Sequence, residues 1–316
     1  MQYGSDHKFT VDISLVSAIY NEAEGVDLLL EKINEVFSKV TQSYEIIIVD
    51  DGSSDASLEK LIKATETIPN LKVVELYKNV GQVKALGAGM TVAKGKWIVM
   101  MDGDLQHNPE DILRFIEKTK EGYDLVATYR EHRVETLQRK FISWLGNRVN
   151  RYLTGLKIRD FGSAFRMFNA LILENLKDSQ GYVHYNTPML YVGAKKIAQL
   201  PITQHKRPFG KTKWNLGMFI SYNLDFITVS DKFVRILLYL GFFGFFAGAF
   251  LYLCKFFEIF SQVNAISAPV SIALTSFLLV IMAIVWREII VNQRISKGIP
   301  PFIINTIHQK ENSINS

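Results

Sequence analysis

The sequence predicts an α/β chain organised around a doubly wound, mainly parallel sheet. Three observations lead there. Short apolar runs alternate with amphipathic helical segments from residue 13 to residue 130, the signature of consecutive βα units. The polar clusters Tyr20-Asn21-Glu22, 50–55 and 102–106 each stand directly after one of those runs. Ligands of such sheets bind beyond the carboxyl ends of the strands, so the three clusters are expected to converge on one rim.

The elements follow in order. Residues 13–19 form a first buried strand. Residues 26–37 carry Leu29, Leu30, Ile33, Val36 and Phe37 at the spacing of one helix face. A second strand covers 45–49, a helix 57–67 and a third strand 71–77. A helix of small residues spans 82–93, and a fourth strand, 97–101, leads into Asp102. A helix over 110–121 and a strand over 123–129 close the series. From 131 to 230 the pattern is less regular, and Arg130, Arg133, Arg139, Lys140, Arg148 and Arg151 make its start strongly basic. Such a stretch is either a solvated helix face or a site for an anionic ligand near a membrane surface.

The composition then changes. Residues 236–257 hold one charge, Lys255, and 269–286 hold none, with apolar character reaching back towards Ala265. A membrane helix needs about 20 such residues. Two buried core helices are the alternative, although a domain of this size seldom hides two fully apolar helices in tandem. Gly241, Gly244 and Gly248 suit helix packing in lipid. Lys232 and Arg235 precede the first run, Arg287, Arg294 and Lys297 follow the second, and 258–268 contain no Lys or Arg. That asymmetry predicts a hairpin with both ends in the cytoplasm. Trp214, Phe219, Tyr222 and Phe226 mark 213–235 as an interfacial segment. The expected organisation is a catalytic domain over 1–212, an interfacial segment over 213–235, a membrane hairpin over 236–287 (spans near 236–257 and 266–287) and a cytoplasmic tail over 288–316.

Several classes are disfavoured. A net charge of +5 without a dense basic block does not indicate nucleic acid. The single cysteine, Cys254, permits no disulfide within the chain and no Cys/His zinc cluster. Residues 1–12 are polar and the first apolar run is too short for a secretory signal, so the N-terminal part is expected to stay in the cytoplasm.

Asp102-Gly103-Asp104-Leu105-Gln106 carries the clearest chemistry. At a strand end, alternate side chains share a face, so both carboxylates are expected to point the same way. Hard oxygen ligands at that spacing suit Mg2+ or Mn2+ beside a diphosphate. The pair can also serve the helix opened by Asn108-Pro109-Glu110. Residues 50–55 have the same two readings, nucleotide contact or helix cap, the latter through Ser53, Ser54 and Asp55. Residues 79–89 carry Gly81, Gly87 and Gly89 without the spacing of a dinucleotide fingerprint.

The ordered set Ala18–Glu22, 50–55, Asn79-Val80-Gly81-Gln82, 102–106, Asp160-Phe161-Gly162-Ser163-Ala164-Phe165-Arg166 and 207–213 resembles the polyprenyl-phosphate glycosyltransferases of the GT-A fold. That group includes the dolichol-phosphate mannosyltransferases and the bacterial undecaprenyl-phosphate sugar transferases. The chain departs from the usual pattern at Ala18 (usually Pro), Gly103 (more often Ala), Thr212 (commonly Ser) and His107-Asn108, and none of these removes a carboxylate or a basic group.

The resemblance implies an inverting, metal-dependent enzyme of the bacterial inner membrane. It would move a sugar from a nucleotide-sugar, UDP-linked by analogy, to undecaprenyl phosphate, giving a lipid-linked sugar for glycan or lipopolysaccharide modification. It further implies Asp104 and Gln106 as ligands of Mg2+ or Mn2+ with Asp102 beside them. Tyr20, Glu22, Asp50, Asp51 and Asp102 would line the donor pocket. Arg130, Arg139, Ser163, Arg207 and Lys213 would hold the acceptor phosphate, with Arg207 counted with the two aspartates as catalytic. Arg166 either joins that group or pairs with a carboxylate such as Asp160. Some relatives are tetramers, so a homo-oligomer is expected. The alternatives are a GDP-mannose-dependent transferase of the dolichol type, a processive synthase (whose Gln-x-x-Arg-Trp phrase is missing here) and a non-catalytic membrane scaffold.

Overall fold

Buried parallel strands must be apolar on both faces, and β1 (Val11–Ile19), β2 (Tyr44–Asp50), β3 (Leu71–Leu76) and β4 (Gly95–Met100) meet that demand. In the computed structural model, which describes residues 9–132, 137–209 and 300–310 with single helical positions between 226 and 292, these strands form the centre of one sheet. The order is β7-β5-β6-β4-β1-β2-β3-β8. β1 pairs in parallel with β2 and β4, and β2 with β3. Their carboxyl ends therefore open on one side.

The intervening helices lie where the periodicity puts them: α1 (Val26–Phe37), α2 (Ser57–Thr65), α3 (Gln82–Val92) and α4 (Asp111–Lys120). α1 buries Leu29, Leu30, Ile33, Val36 and Phe37 against one face of the sheet, together with Phe115 of α4. On the opposite face α3 brings its small residues onto Val16 and Val49. A Cβ on Gly89 would lie 2.5 Å from a methyl of Val16, so a larger residue there would force the helix off the sheet.

Beyond residue 124 the topology departs from simple alternation. β5 (Leu125–His132) and β7 (Ile197–Thr203) are parallel to each other, while β6 (Arg166–Asn169) runs antiparallel between β5 and β4. β6 is only four residues long, too short to show a period. α5 (Leu137–Thr154), a 3-10 segment (Ala170–Leu176) and α6 (Thr187–Gly193) fill the connections. α5 is not simply a basic solvated helix. Trp144, Leu145, Val149 and Tyr152 are exposed on it beside Arg148, whose guanidinium lies 5.9 Å from the Trp144 ring. Near its end, Lys232 donates to the Tyr152 carbonyl at 3.0 Å.

The tail contributes an edge strand. β8 (Ile304–Gln309) pairs antiparallel with β3, and Phe302 is buried against Tyr182 at a ring separation of 5.6 Å. Residues 304–309 are thus part of the same sheet, separated in sequence from its other strands by about 100 residues.

Among the described residues no helix is long and apolar enough to cross a membrane. The expected spans, 236–257 and 266–287, lie largely outside the described residues. The positions described within them are helical, and Tyr239, Phe243, Leu278, Met282 and Trp286 are exposed there.

Candidate active site

The first two rim clusters are stitched together by hydrogen bonds between strand ends, and Gln82 and Arg207 tie the third, 102–106, to the same rim. After β1, Asn21 adopts φ 51°, a conformation that Asn tolerates better than most residues. Its N–H donates to Ser53 Oγ (2.9 Å), and its Oδ1 accepts from the Ser54 N–H (2.8 Å). The Glu22 N–H donates to Ser57 Oγ and the Ala23 N–H to Asp55 Oδ2. Asp50 accepts the Ser53 N–H. Asp51 reaches the third loop, accepting the Val80 N–H at 2.8 Å and the Gly81 N–H at 3.0 Å. Burial pushes the Asp51 carboxyl up from its ordinary value, against the pull of those two N–H groups. Gly52 makes this crossing possible: its φ is +68°, and a Cβ there would lie 2.6 Å from the Asn79 nitrogen.

Asp102 and Asp104 lie side by side, partly open to solvent, with side chains 23% and 13% exposed. They do not share a face through strand alternation, as the sequence reading expects. β4 ends at Met100, and 102–105 form a turn. Leu105 takes φ 60° within it. Backbone strain of that kind concentrates at functional sites. Gly103 packs under β1, where a Cβ would lie 2.5 Å from Ile19 Cγ2 and 3.2 Å from the Ala18 carbonyl oxygen. The methyl usual at this position in the family therefore has no room, because Ile19 fills the space.

Each carboxylate has its own support. Asp102 Oδ1 accepts from Gln82 Nε2 at 2.6 Å, and Oδ2 lies 3.6 Å from His107 Nε2. His107 is buried and stacked on Phe165. Asp104 Oδ1 accepts the Gln106 N–H, and Oδ2 accepts from Arg207 Nη2 at 2.7 Å. Arg207 also lies 3.6 Å from Glu22. Burial, followed by the negative charge of Asp102, raises the Asp104 carboxyl above its usual range, and Arg207 only partly offsets this. The Gln106 side chain is turned to the 204–205 segment, with Gln204 Nε2 and the His205 carbonyl oxygen each 3.4 Å from its amide. A cavity of about 380 Å3 opens beside Leu105 and His107, walled by Leu28 and Lys32 of α1 and by Lys206 and Pro208.

The basic residues divide by environment. Arg130 forms a two-pronged pair with Asp160, 2.7 Å from Nε to Oδ2 and 3.1 Å from Nη2 to Oδ1, in a setting where Asp160 is only 2% exposed. Ser163 is buried and shares a 2.5 Å hydrogen bond with Thr128. Arg166 is buried, donates to the Ser163 carbonyl and lies 5.1 Å from the Tyr191 ring, so it braces the 160–166 turn from inside. Tyr191 belongs to the core, and His184 pairs with Asp178 at 2.8 Å. The side chain of Arg139 and the whole of Lys213 lie outside the described residues. Gln82 and His107 are the neighbours of Asp102 that the sequence reading did not single out. Gln82 stands within a quoted motif, but its role depends on where α3 starts.

The donor set fits a small divalent cation. Two oxygen-bearing carboxylates stand close enough for one to raise the other, and a positive charge between them would relieve that repulsion. Among the described residues no group of three His, Cys, Asp or Glu side chains converges on one point. One or two carboxylates with substrate phosphates and water is the usual Mg2+ arrangement.

Comparison with known proteins places the chain in a family. The family model described as Glycosyl transferase family 2 matches residues 14–177. The chain is 35% identical over 217 residues to undecaprenyl-phosphate 4-deoxy-4-formamido-L-arabinose transferase of Photorhabdus laumondii, covering 68% of this chain and 67% of that protein. It is 33% identical over 227 residues to dodecaprenyl-phosphate galacturonate synthase of Rhizobium johnstonii, covering 70% and 67%. The match thus spans about two thirds of each relative's length. Among solved structures it resembles glucosyl-3-phosphoglycerate synthase from Mycobacterium tuberculosis, in a complex with Mn2+, UDP and glucosyl-3-phosphoglycerate. The TM-score is 0.52, with 17% identity over 70% of this chain and 81% of that one, a likeness of fold.

Proposed function

Because this chain belongs to glycosyltransferase family 2, we propose that it transfers a sugar from a nucleotide-sugar, UDP-linked in the first instance, to a polyprenyl monophosphate at the cytoplasmic face of a membrane. One observation carries the reading. The cleft holds the Asp102 and Asp104 carboxylates together with a guanidinium, Arg207, 2.7 Å from Asp104, so one site can handle both a cation-bound diphosphate and an anionic acceptor. The relatives named for undecaprenyl- and dodecaprenyl-phosphate support the acceptor class.

In this reading Asp102 and Asp104 would hold Mg2+ or Mn2+ beside the donor diphosphate, and Gln106 would join them on leaving the 204–205 segment. When bound, that ion offsets the charge of the departing nucleoside diphosphate. Gln82 and His107 hold Asp102 in its rotamer. Tyr20, Glu22, Asp50 and Asp51 wall the nucleoside side. The acceptor phosphate needs no strong general base, because its second pKa of about 6 leaves it mostly dianionic at neutral pH. It does need cations, and Arg207, with Arg139 and Lys213, supplies them through charge-assisted hydrogen bonds. Arg130 and Ser163 contribute by bracing the 160–166 turn. Attack at the anomeric carbon opposite the leaving diphosphate inverts configuration. The apolar runs at 236–257 and 266–287 anchor the domain beside its lipid substrate, with exposed Phe243 and Met282 facing lipid.

The test is to incubate the purified protein in detergent with undecaprenyl phosphate and a panel of UDP- and GDP-sugars. Nucleoside diphosphate release and the mass of the lipid product are then read. Release that depends on the lipid phosphate is expected for one donor class. No release with any donor would overturn the proposal in favour of a non-catalytic scaffold.

A further inference from the structure

Arg207 lies where the electrostatics of the site call for a cation. Asp104 has both oxygens engaged, Oδ1 by the Gln106 N–H at 3.1 Å and Oδ2 by Arg207 at 2.7 Å, while Glu22 flanks the same guanidinium at 3.6 Å. A carboxylate this buried, beside a second one, requires a positive partner. The segment carrying Arg207 is fastened along the aspartate loop at several points. The His205 N–H donates to the Gln106 carbonyl at 2.9 Å, and Gln204 and His205 contact the Gln106 amide at 3.4 Å. Further on, the Phe209 ring lies beside Gly25, where a Cβ would stand 3.7 Å from it. Residues 204–209 therefore form a strap over the metal-side carboxylates, with Arg207 as its charged clasp.

A guanidinium and a divalent cation are alternative partners for one carboxylate oxygen, and close to each other they repel. We propose that Arg207 is a resident counter-ion of Asp104 that the divalent cation displaces, so that loading of the donor site releases this guanidinium towards the acceptor phosphate. The proposal rests on the transferase reading above. It sets an order: donor with its cation first, lipid phosphate second. It also gives Arg207 two successive anionic partners, the Asp104 carboxylate and then the phosphate. A phosphate that arrives first finds the clasp closed on Asp104 and Glu22, and the two anionic substrates never compete for one cation.

The experiment uses the full-length protein in detergent without donor. Mn2+ binding is measured by electron paramagnetic resonance of the free ion for the wild type and for Arg207→Gln. Removing the competitor is expected to tighten Mn2+ binding by about tenfold, a typical size for coupling between ligands. Equal or weaker binding by Arg207→Gln overturns the clasp while leaving the transferase reading intact. Failure of both proteins to bind Mn2+, even with UDP or GDP added, overturns the clasp and the metal assignment together. A second measurement needs no variant. Arg207 of the wild type is labelled with phenylglyoxal and the peptide quantified by mass spectrometry. Labelling is expected to rise several-fold when Mn2+ alone is added; unchanged or reduced labelling overturns the proposal.

Discussion

Asp104 shows how one residue can be costly to the fold and necessary to the chemistry. Its carboxyl titrates above the ordinary aspartate range because of burial and Asp102. A carboxyl raised in this way has its ionised form disfavoured by the folded state, and that penalty disappears as pH falls through the raised value. Asp104→Asn is therefore expected to leave Tm at pH 7, measured in EDTA, unchanged or higher, with the advantage shrinking on acidification. Transfer should fall by about 10³-fold, the scale of losing a transition-state charge contact. A variant with wild-type turnover removes the aspartate from the site. Gly103 makes the complementary point. Its missing methyl is replaced by Ile19 Cγ2, 2.5 Å from where a Cβ would stand. Gly103→Ala is expected to destabilise by about 1–3 kcal/mol through overpacking and to lower kcat/KM by shifting both carboxylates. Thermal unfolding and initial rates check both effects, and a fully active, equally stable variant would show that the turn has slack. Arg130 reads as a phosphate ligand in the sequence, and in the structure it is also paired with Asp160. Arg130→Met leaves Asp160 buried without that partner and is expected to cost about 3–5 kcal/mol.

Among the elements, β8 is the least expected from the sequence, and the most exposed to test. Asn305 Nδ2 donates to Glu75 Oε1 at 2.6 Å, and His308 Nε2 lies 2.9 Å from Glu75 Oε2, so one carboxylate of β3 clamps the strand at two points. The His308 contact, with Asn305 beside it, lowers the Glu75 carboxyl below its ordinary value against the opposing effect of burial. The stabilisation is therefore present above the usual glutamate range and is lost as pH falls through the lowered value. Amide protection factors in 304–309, that is, exchange relative to the intrinsic rate at each pH, should fall on acidification in the wild type and lose most of that dependence in Glu75→Gln. Phe302→Ala should cost about 3–5 kcal/mol, the range for emptying a buried aromatic site, whereas Ile307→Ala, on the exposed side, should change stability by less than about 0.5 kcal/mol. Similar losses for both would mean that the tail is not docked as described. The strands β1 to β5 were readable because apolar runs between helices of clear period leave few alternatives. β6, β7 and β8 were not, since a four-residue antiparallel strand and strands at the sheet edges carry no clean alternation.

At the level of the whole molecule, the pairing of β3 with β8 constrains the topology of everything between. Residues 9–209 and 300–310 belong to one sheet, so any path through a bilayer between 210 and 299 must cross it an even number of times. A two-span hairpin with a short outer loop at 258–268 satisfies that condition, and a single span does not. The experiment is cysteine labelling in cells on a Cys254→Ser background, the native chain having no other cysteine. Asn264→Cys is expected to react with an impermeant maleimide from outside the inner membrane, and Lys310→Cys only after permeabilisation. External labelling at position 310 would sink the hairpin.

The sequence by itself determined the βα core, the rim on which the polar clusters meet and the residue types of the candidate site, because period, apolar runs and ordered motifs are local properties of the chain. Only the tertiary structure decided which cation faces which carboxylate, that Asp102 leans on Gln82 and His107, and that a strand beyond the apolar runs closes the sheet. Those outcomes depend on how residues as much as 233 positions apart share one buried, low-dielectric space, and no local pattern encodes the competition among them.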